Sequence, residues 1–215
     1  MVSLPTVFIV DDDLAFCQSL GMLLHSAGLR VEDYPSAESF IEAGCAQRPG
    51  CLVLDVRMPG WSGLELQAHL SAKRIRMPII FITGHGDIPM AVRAVKAGAV
   101  DFLEKPFNDE ALLERVHQAL ERDTQWRQSE LSRVQSDTRL ARLTPREKEV
   151  MQRVAAGRSN KQIAADLNIS HRTVEIYRAR VMDKLGTKSL CDLIRVAMAC
   201  EEYARMGSLA EDVDH

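Results

Sequence analysis

The sequence predicts an α/β domain with a doubly wound, five-stranded parallel sheet, joined by a long helical linker to an all-α domain. Three observations predict it. Up to Glu121, short apolar segments rich in β-branched residues alternate with segments of helical period, the pattern of serial β-α units with helices on both faces of the sheet. From Phe107 to Thr144 there is neither Gly nor Pro, so a helix can run on past the fifth strand. From Thr144 onward the chain is a row of helix-start signals.

The predicted strands are TVFIV (6–10), LRVED (29–33), CLVLD (51–55), MPIIFIT (77–83) and AVDFLEK (99–105). CLVL is continuously apolar, as in a strand buried on both faces. Helical patterns fill the gaps: Leu14–Ala27, with Leu20, Leu23 and Leu24 on one face, then Ala37–Ala43, Gly63–Ser71, Ile88–Ala97 and Asp109–Leu120. If the last of these reached residue 137 it would span about 45 Å. Its heptad pattern is poor beyond Leu120, which makes it a semi-rigid helical linker rather than a coiled coil.

In the basic end, Thr144-Pro145-Arg146-Glu147 is a capping box with Pro at the first helical position, and Val150, Met151 and Val154 give the apolar face up to Gly157. Ser159 with Gln162 opens a short helix ending near Asn168. Ser170 caps a third that ends at Gly186, and Ser189 with Asp192 opens a fourth through Ala199. A short helix, a tight turn and a capped longer helix form a helix-turn-helix pattern.

The net charge of −3 hides an asymmetry: residues 1–122 hold 11 Lys+Arg against 16 Asp+Glu, whereas residues 139–206 hold 14 against 8. An acidic half joined to a basic half points to two domains, the second facing a polyanion. The five cysteines are odd in number and include no C-x-x-C pair, so they read as small apolar core residues in a reducing cytoplasm. The apolar run Val7–Val10 is too short for a signal-peptide core or a membrane span, which gives an expectation of a cytoplasmic chain with no membrane partner. The six histidines show no metal spacing; His85, beside Thr83-Gly84, reads as a loop histidine. Trp61 falls in the loop after Asp55, where partial exposure is expected.

The chemistry concentrates at strand ends. Asp11, Asp12 and Asp13 follow the first strand and Asp55 ends the third, and in a doubly wound sheet these ends can lie side by side. Carboxylates gathered in one crevice repel unless a cation sits among them, and hard oxygens with a few waters suit Mg²⁺. Thr83-Gly84 adds a hydroxyl and Lys105-Pro106 a cation at two further strand ends. Taken singly, a strand-end Asp is most often a helix cap, and Thr-Gly or Lys-Pro a turn. All of them at strand carboxyl ends, in this order, suit phosphoryl transfer to a carboxylate.

VDDD, LDVRMPGWSG, ITG and the Lys-Pro after Phe102 make residues 5–122 resemble the receiver domain of two-component response regulators. The resemblance implies Asp55 as phosphoacceptor, Asp12 as direct Mg²⁺ (or Mn²⁺) ligand, Asp11 acting through water, and the backbone carbonyl of Arg57 as third protein ligand. It further implies Thr83 and Phe102 as a switch pair, Lys105 as the phosphoryl-binding lysine before a cis peptide, and Asp13 as a bystander or cap. Residues 141–199, with LTPREKEVMQRVAAGRSNKQIAADLNISHRTVEIYRARVMDKLG, resemble the LuxR-type helix-turn-helix domain, and GHGDIPMAVRAVKAGAVDFLEKPF places the chain near the FixJ branch. The implied organisation is a receiver over 1–122, a helical linker over 123–140, a DNA-binding domain over 141–206 and an acidic tail over 207–215.

In the third helix of the basic domain, Val174, Tyr177, Val181 and Leu185 form one stripe, read as core. The opposite side holds Arg172, Ile176, Ala179, Arg180 and Asp183, flanked by Thr173 and Glu175, and suits the major groove. Glu175 is placed to accept from a cytosine amine and Ile176 or Ala179 to touch a thymine methyl. Lys161, Arg172, Arg178, Arg180 and Lys188 are expected on phosphates, which position without specifying.

The expected function is a phosphorylation-switched transcription factor whose receiver supports only its own phosphotransfer and autodephosphorylation. Its expected partners are a sensor histidine kinase, a two-fold promoter site, RNA polymerase and a second copy of itself, paired through Val92, Val95 and Lys96 on the fourth helix and Asp101 on the fifth strand. One rival is an aspartate-nucleophile phosphohydrolase, against which Val56-Arg57 follows Asp55 where the second acid would stand two residues on. Another is a DNA-binding scaffold with an inactive receiver, against which the acid, hydroxyl and lysine set is complete.

Overall fold

The structure, a computed structural model, describes residues 4–84, 88–187, 189 and 191–197, with only the backbone of Ile88. The chain divides into two compact units between Gln128 and Ser129.

In the first unit β1 (Thr6–Val10), β2 (Arg30–Tyr34), β3 (Gly50–Asp55), β4 (Ile79–Thr83) and β5 (Asp101–Glu104) form one sheet in the order β2-β1-β3-β4-β5. Every pairing is parallel. Strand alternation sorts the apolar residues into two cores. Phe8, Val10, Leu52, Leu54 and Phe81 face α2 (Ala37–Glu42), α3 (Gly63–Ala72) and α4 (Ile88–Lys96). Val7, Ile9, Cys51, Val53, Ile80 and Ile82 face α1 (Leu14–Ser26) and the first turns of α5 (Asp109–Ala141). β1, β3 and β4 are buried along their whole length, whereas the edge strand β2 is half exposed, which explains its more polar sequence.

The last helix of the unit runs past residue 137 to Ala141 as one element. Its root is tied to the amino end of β3. The buried Asp123 accepts hydrogen bonds at Oδ2 from the Gly50 N–H at 2.9 Å and from Arg127 Nε at 2.8 Å. Arg127 in turn donates to the carbonyls of Gln47 at 3.1 Å and Arg48 at 2.8 Å. Gly50 is required there: a Cβ would stand 1.9 Å from the Thr6 carbonyl oxygen.

The second unit is helical, with α6 (Pro145–Ala155), α7 (Asn160–Leu167), α8 (His171–Leu185) and a helical segment over 191–197. The capping boxes at Thr144–Glu147 and Ser159–Gln162 form as the sequence suggests, and Ser170 caps α8. Val150, Met151, Val154, Ile163, Leu167, Val174, Val181, Leu185, Leu193 and Ala197 make the core, with Tyr177 half-buried against it. Cys17, Cys45 and Cys51 are buried, but Cys191 is exposed, because Leu193 and Ala197 supply the inward face of its segment. Lys188, His85, Cys200, Ala199 and the tail over 207–215 lie outside the described residues. Among the described residues no helix is long and apolar enough to cross a membrane.

Replacing Asp123 by Ala should destabilise the first unit by about 3 kcal/mol, since it leaves the buried Gly50 N–H and the Arg127 guanidinium without their carboxylate. Urea unfolding followed by circular dichroism measures this. A loss under about 0.5 kcal/mol, the scale of an ordinary surface substitution, would show that the tie carries no stability.

Candidate functional site

The register of the sheet assembles the site. Val10 pairs with Leu54, so the residues that follow, Asp11 and Asp55, leave β1 and β3 together. These two strands flank the point where the connections change faces, the place where open α/β sheets bind ligands. Both carboxylates are buried, 3% and 7% exposed. Lys105, just past β5, bridges them: its Nζ lies 2.7 Å from Asp11 Oδ2 and 3.3 Å from Asp55 Oδ1. The peptide between Lys105 and Pro106 is cis.

The remaining oxygens are also engaged. Asp11 Oδ1 accepts from the Asp13 N–H at 2.9 Å, and Asp55 Oδ2 from the Arg57 N–H at 2.6 Å. This last bond folds the Arg57 backbone against the carboxylate. Gly63 lets the loop return closely, since a Cβ there would stand 2.3 Å from the Asp55 carbonyl oxygen. Burial pushes the Asp55 carboxyl above its ordinary range and the Asp11 charge adds to this, while the Arg57 N–H and Lys105 oppose it. Burial works against the Lys105 ammonium, but its hydrogen bond to Asp11 and the charges of both acids prevail, so it is held above its ordinary value.

Thr83 is 1% exposed and follows Ile82, the register partner of Asp55. Phe102 pairs with Phe81 in register, half-buried, with ring centroids 6.4 Å apart. Asp12 is exposed, and Asp13 caps α1 through the N–H groups of Ala15 and Phe16. Val92 and Val95 are exposed apolar residues and Lys96 is exposed; Asp101 is ion-paired with Arg115 of its own unit. Trp61 is partly exposed, with its N–H donating to Glu38.

The residues expected to hold a metal, Asp11, Asp12, Asp55 and Arg57 through its carbonyl, would offer oxygen donors alone. Among the described residues no three His, Cys, Asp or Glu side chains converge as a cage, and Lys105 already bridges the two buried acids. Such a set fits a hard cation that takes one or two carboxylates and completes its shell with water and phosphate oxygens.

In the second unit Lys161, Arg172, Glu175, Ile176, Ala179 and Arg180 are exposed. Glu175 lies 3.5 Å from His171 on the same helix. The Thr173 hydroxyl is 2.7 Å from that of Ser170, and Arg178 donates to Asn160 Oδ1 at 2.5 Å, tying α8 to the start of α7. Lys184 reaches Glu147 at 2.7 Å and ties the end of α8 to the capping box of α6. Neither tie was expected from the sequence, because helical spacing says nothing of a partner 18 or 37 residues away.

Residues 7–117 match the family described as the response regulator receiver domain, and residues 141–197 the luxR family of bacterial regulatory proteins. Nodulation protein W of Bradyrhizobium diazoefficiens is 49% identical over 89% of this chain and 84% of its own length. The transcriptional regulatory protein FixJ of Azorhizobium caulinodans is 48% identical over 91% and 92%. Among solved structures, the response regulator StyR is similar with a TM-score of 0.83 and 46% identity, over 92% of this chain and 100% of that one.

Lys105→Met should lower the stability of the first unit at neutral pH by about 1–3 kcal/mol in the presence of a chelator, since two buried carboxylates then lack their cation. The sign follows from Asp55, whose folded-state value is raised: its charged form costs stability at higher pH, and the cost disappears as pH falls through that raised value. The deficit should therefore shrink on acidification. Urea unfolding at a series of pH values tests this, and a deficit independent of pH would show that the lysine does not offset carboxylate charge.

Proposed function

We infer the mechanism from one premise: the chain belongs to the FixJ-like two-component response regulators, transcriptional regulators that join a receiver domain to a LuxR-type DNA-binding domain. Members of this family are typically non-enzymatic, generally use Mg²⁺, and work with a histidine kinase and with DNA. In this chain Asp55 is the phosphoacceptor, and the receiver catalyses nothing beyond its own phosphotransfer and dephosphorylation. The observation that carries the reading is the Lys105 ammonium joining the buried carboxylates of Asp11 and Asp55 at the carboxyl edge of the sheet.

An Asp55 oxygen attacks the phosphorus of a phosphohistidine on the sensor kinase. The new P–O bond forms as the P–N bond breaks, and the imidazole leaves with the electron pair and takes a proton. Lys105 then pairs with one phosphoryl oxygen and the Thr83 hydroxyl donates to another. Asp12, Asp55, the Arg57 carbonyl and, through water, Asp11 would hold Mg²⁺ or Mn²⁺. When bound, that ion supplies positive charge beside the transferring oxygens. The new dianion draws Thr83 inward, Phe102 follows, and the surface of α4 and β5 changes, a local charge event biasing a bistable element. Val92, Val95, Lys96 and Asp101 on that surface pair two receivers.

Acting in the cytoplasm, the dimer presents two α8 helices to a two-fold promoter site and engages RNA polymerase there. Glu175, Ile176 and Ala179 face the bases with Thr173 beside them, while Lys161, Arg172, Arg180 and Lys188 contact phosphates. Arg178 holds α7 and α8 together through Asn160 as well as facing the backbone.

Asp55→Asn should keep the fold and abolish acid-labile labelling by acetyl phosphate, while the native protein should shift from monomer to dimer in sedimentation once labelled. Full labelling of the variant would remove Asp55 from the mechanism, and an unchanged mass on labelling would remove the dimer.

On DNA, Arg180→Ala should weaken selected and scrambled sequences alike and flatten the salt dependence. Glu175→Ala should instead cost about 1–3 kcal/mol on the selected site alone, with non-specific binding unchanged or improved by the lost negative charge. Titrations of both DNAs at several salt concentrations measure this. Equal effects of Glu175→Ala on the two DNAs would show that this residue does not read a base.

A further inference from the structure

Lys105 has a third neighbour besides the two acids. Its Nζ sits 3.6 Å above the centroid of the Phe16 ring. That ring is itself held on two sides. Asp13 caps α1 and accepts from the Phe16 N–H at 3.1 Å, which sets the first turn of the helix. Phe107, two residues beyond Lys105, meets the ring edge-on with centroids 6.2 Å apart and planes at 87°. The electron-rich face of a fixed aromatic ring attracts an ammonium, and more strongly where the cation is partly desolvated. Lys105 satisfies that condition, with its side chain only 24% exposed.

We propose that Phe16 is a positioning residue for phosphoryl transfer, holding the Lys105 ammonium over the carboxylate crevice so that it meets the incoming phosphoryl oxygens without searching for them. This rests on the reading of Asp55 as phosphoacceptor. An ammonium on a four-carbon stem has many rotamers and must be fixed by its surroundings. Of its two ionic partners, Asp55 cannot fix it throughout, because its charge distribution changes when it forms the new P–O bond. The ring carries no net charge and takes no part in the bond changes, so its pull on the ammonium is the same before and after transfer. Asp13, which touches neither Lys105 nor the phosphoacceptor among its hydrogen bonds, thereby acquires a place in the site as the cap that sets the ring.

The test uses the full-length protein. In the metal-free, unphosphorylated state the ε-methylene protons of Lys105, assigned by their loss in Lys105→Met, should resonate upfield of ordinary lysines through the ring current of Phe16. They should return to the ordinary position in Phe16→Leu and stay upfield in Phe16→Tyr. An ordinary position in the native protein would overturn the contact. With Mg²⁺ and acetyl phosphate, Phe16→Leu should slow the initial labelling of Asp55 about three- to tenfold, while Phe16→Tyr should remain within about twofold of native. In a Lys105→Met background Phe16→Leu should cause no further loss. An undiminished rate in Phe16→Leu, or the same fold loss in both backgrounds, would overturn the role, the second by showing that Phe16 acts on the fold rather than through Lys105. Labelling that persists in Asp55→Asn would bring down the phosphoacceptor reading and this role with it, whereas loss of the ring-current effect with Asp55 labelling intact brings down the role of Phe16 alone.

Discussion

Two carboxylates that leave adjacent parallel strands at the same level must be reconciled with each other, and here the single ammonium of Lys105 does it. Asp11 and Asp55 are nearly free of solvent, and burial, with the Asp11 charge beside it, disfavours the charged form of Asp55. With Lys105 shared by both, the two acids stand close together at the edge of the sheet. A single lysine offsets only part of two negative charges, so on the proposed reading the crevice would still accept a second cation.

The opposite edge of the sheet is organised by hydrogen bonds rather than by excess charge. Asp123 and Arg127 neutralise each other: Asp123 Oδ2 accepts from both Arg127 and the Gly50 N–H, and Arg127 gives its other nitrogens to the carbonyls of Gln47 and Arg48. One end of β3 thus carries the buried Asp55 carboxylate, while its other end anchors the helix that leads out of the unit. β3 is a short, fully buried strand, paired on both sides along most of its length. A rigid element of that kind holds chemistry at one end and the exit of the chain at the other in fixed register.

The sequence made the strand-end chemistry legible because it is local. An acid, a hydroxyl or a lysine at the end of an apolar run is seen in a few consecutive letters, and the serial β-α pattern says that all those ends share one edge. The caps at Thr144, Ser159 and Ser170 were legible for the same reason, since cap and partner lie three residues apart. What was not legible is pairing across distance. Nothing in the letters links Asp123 to Gly50, Arg178 to Asn160 or Phe16 to Lys105, because each pair is brought together only by packing. Asp13 shows the limit well: read from the sequence as a bystander or a cap, it is the cap, and only its hydrogen bonds to Ala15 and Phe16 decide between the two. Cys191 shows it from the other side: composition suggested a core thiol, and the phase of a short helical segment turned it outward.

The second unit divides its charged residues by the same logic. Lys184 and Glu147 are paired, with Glu147 buried, and its carboxyl lies below the usual range because Lys184 and the Thr144 N–H outweigh the cost of burial. Arg178 is committed to Asn160. These pairs tie α8 to α7 at its middle and to α6 near its carboxyl end, which limits its freedom to adjust on contact. The residues left on its outer side, Arg172, Glu175, Ile176, Ala179 and Arg180, are exposed. Rigidity then has a direct consequence for recognition. On the proposed reading, cations on phosphates would position the unit, and a helix tied to its neighbours would convert that position into a placement of Glu175, Ile176 and Ala179 against base edges. Sequence preference in such a unit therefore depends on the buried ties as much as on the residues that touch DNA.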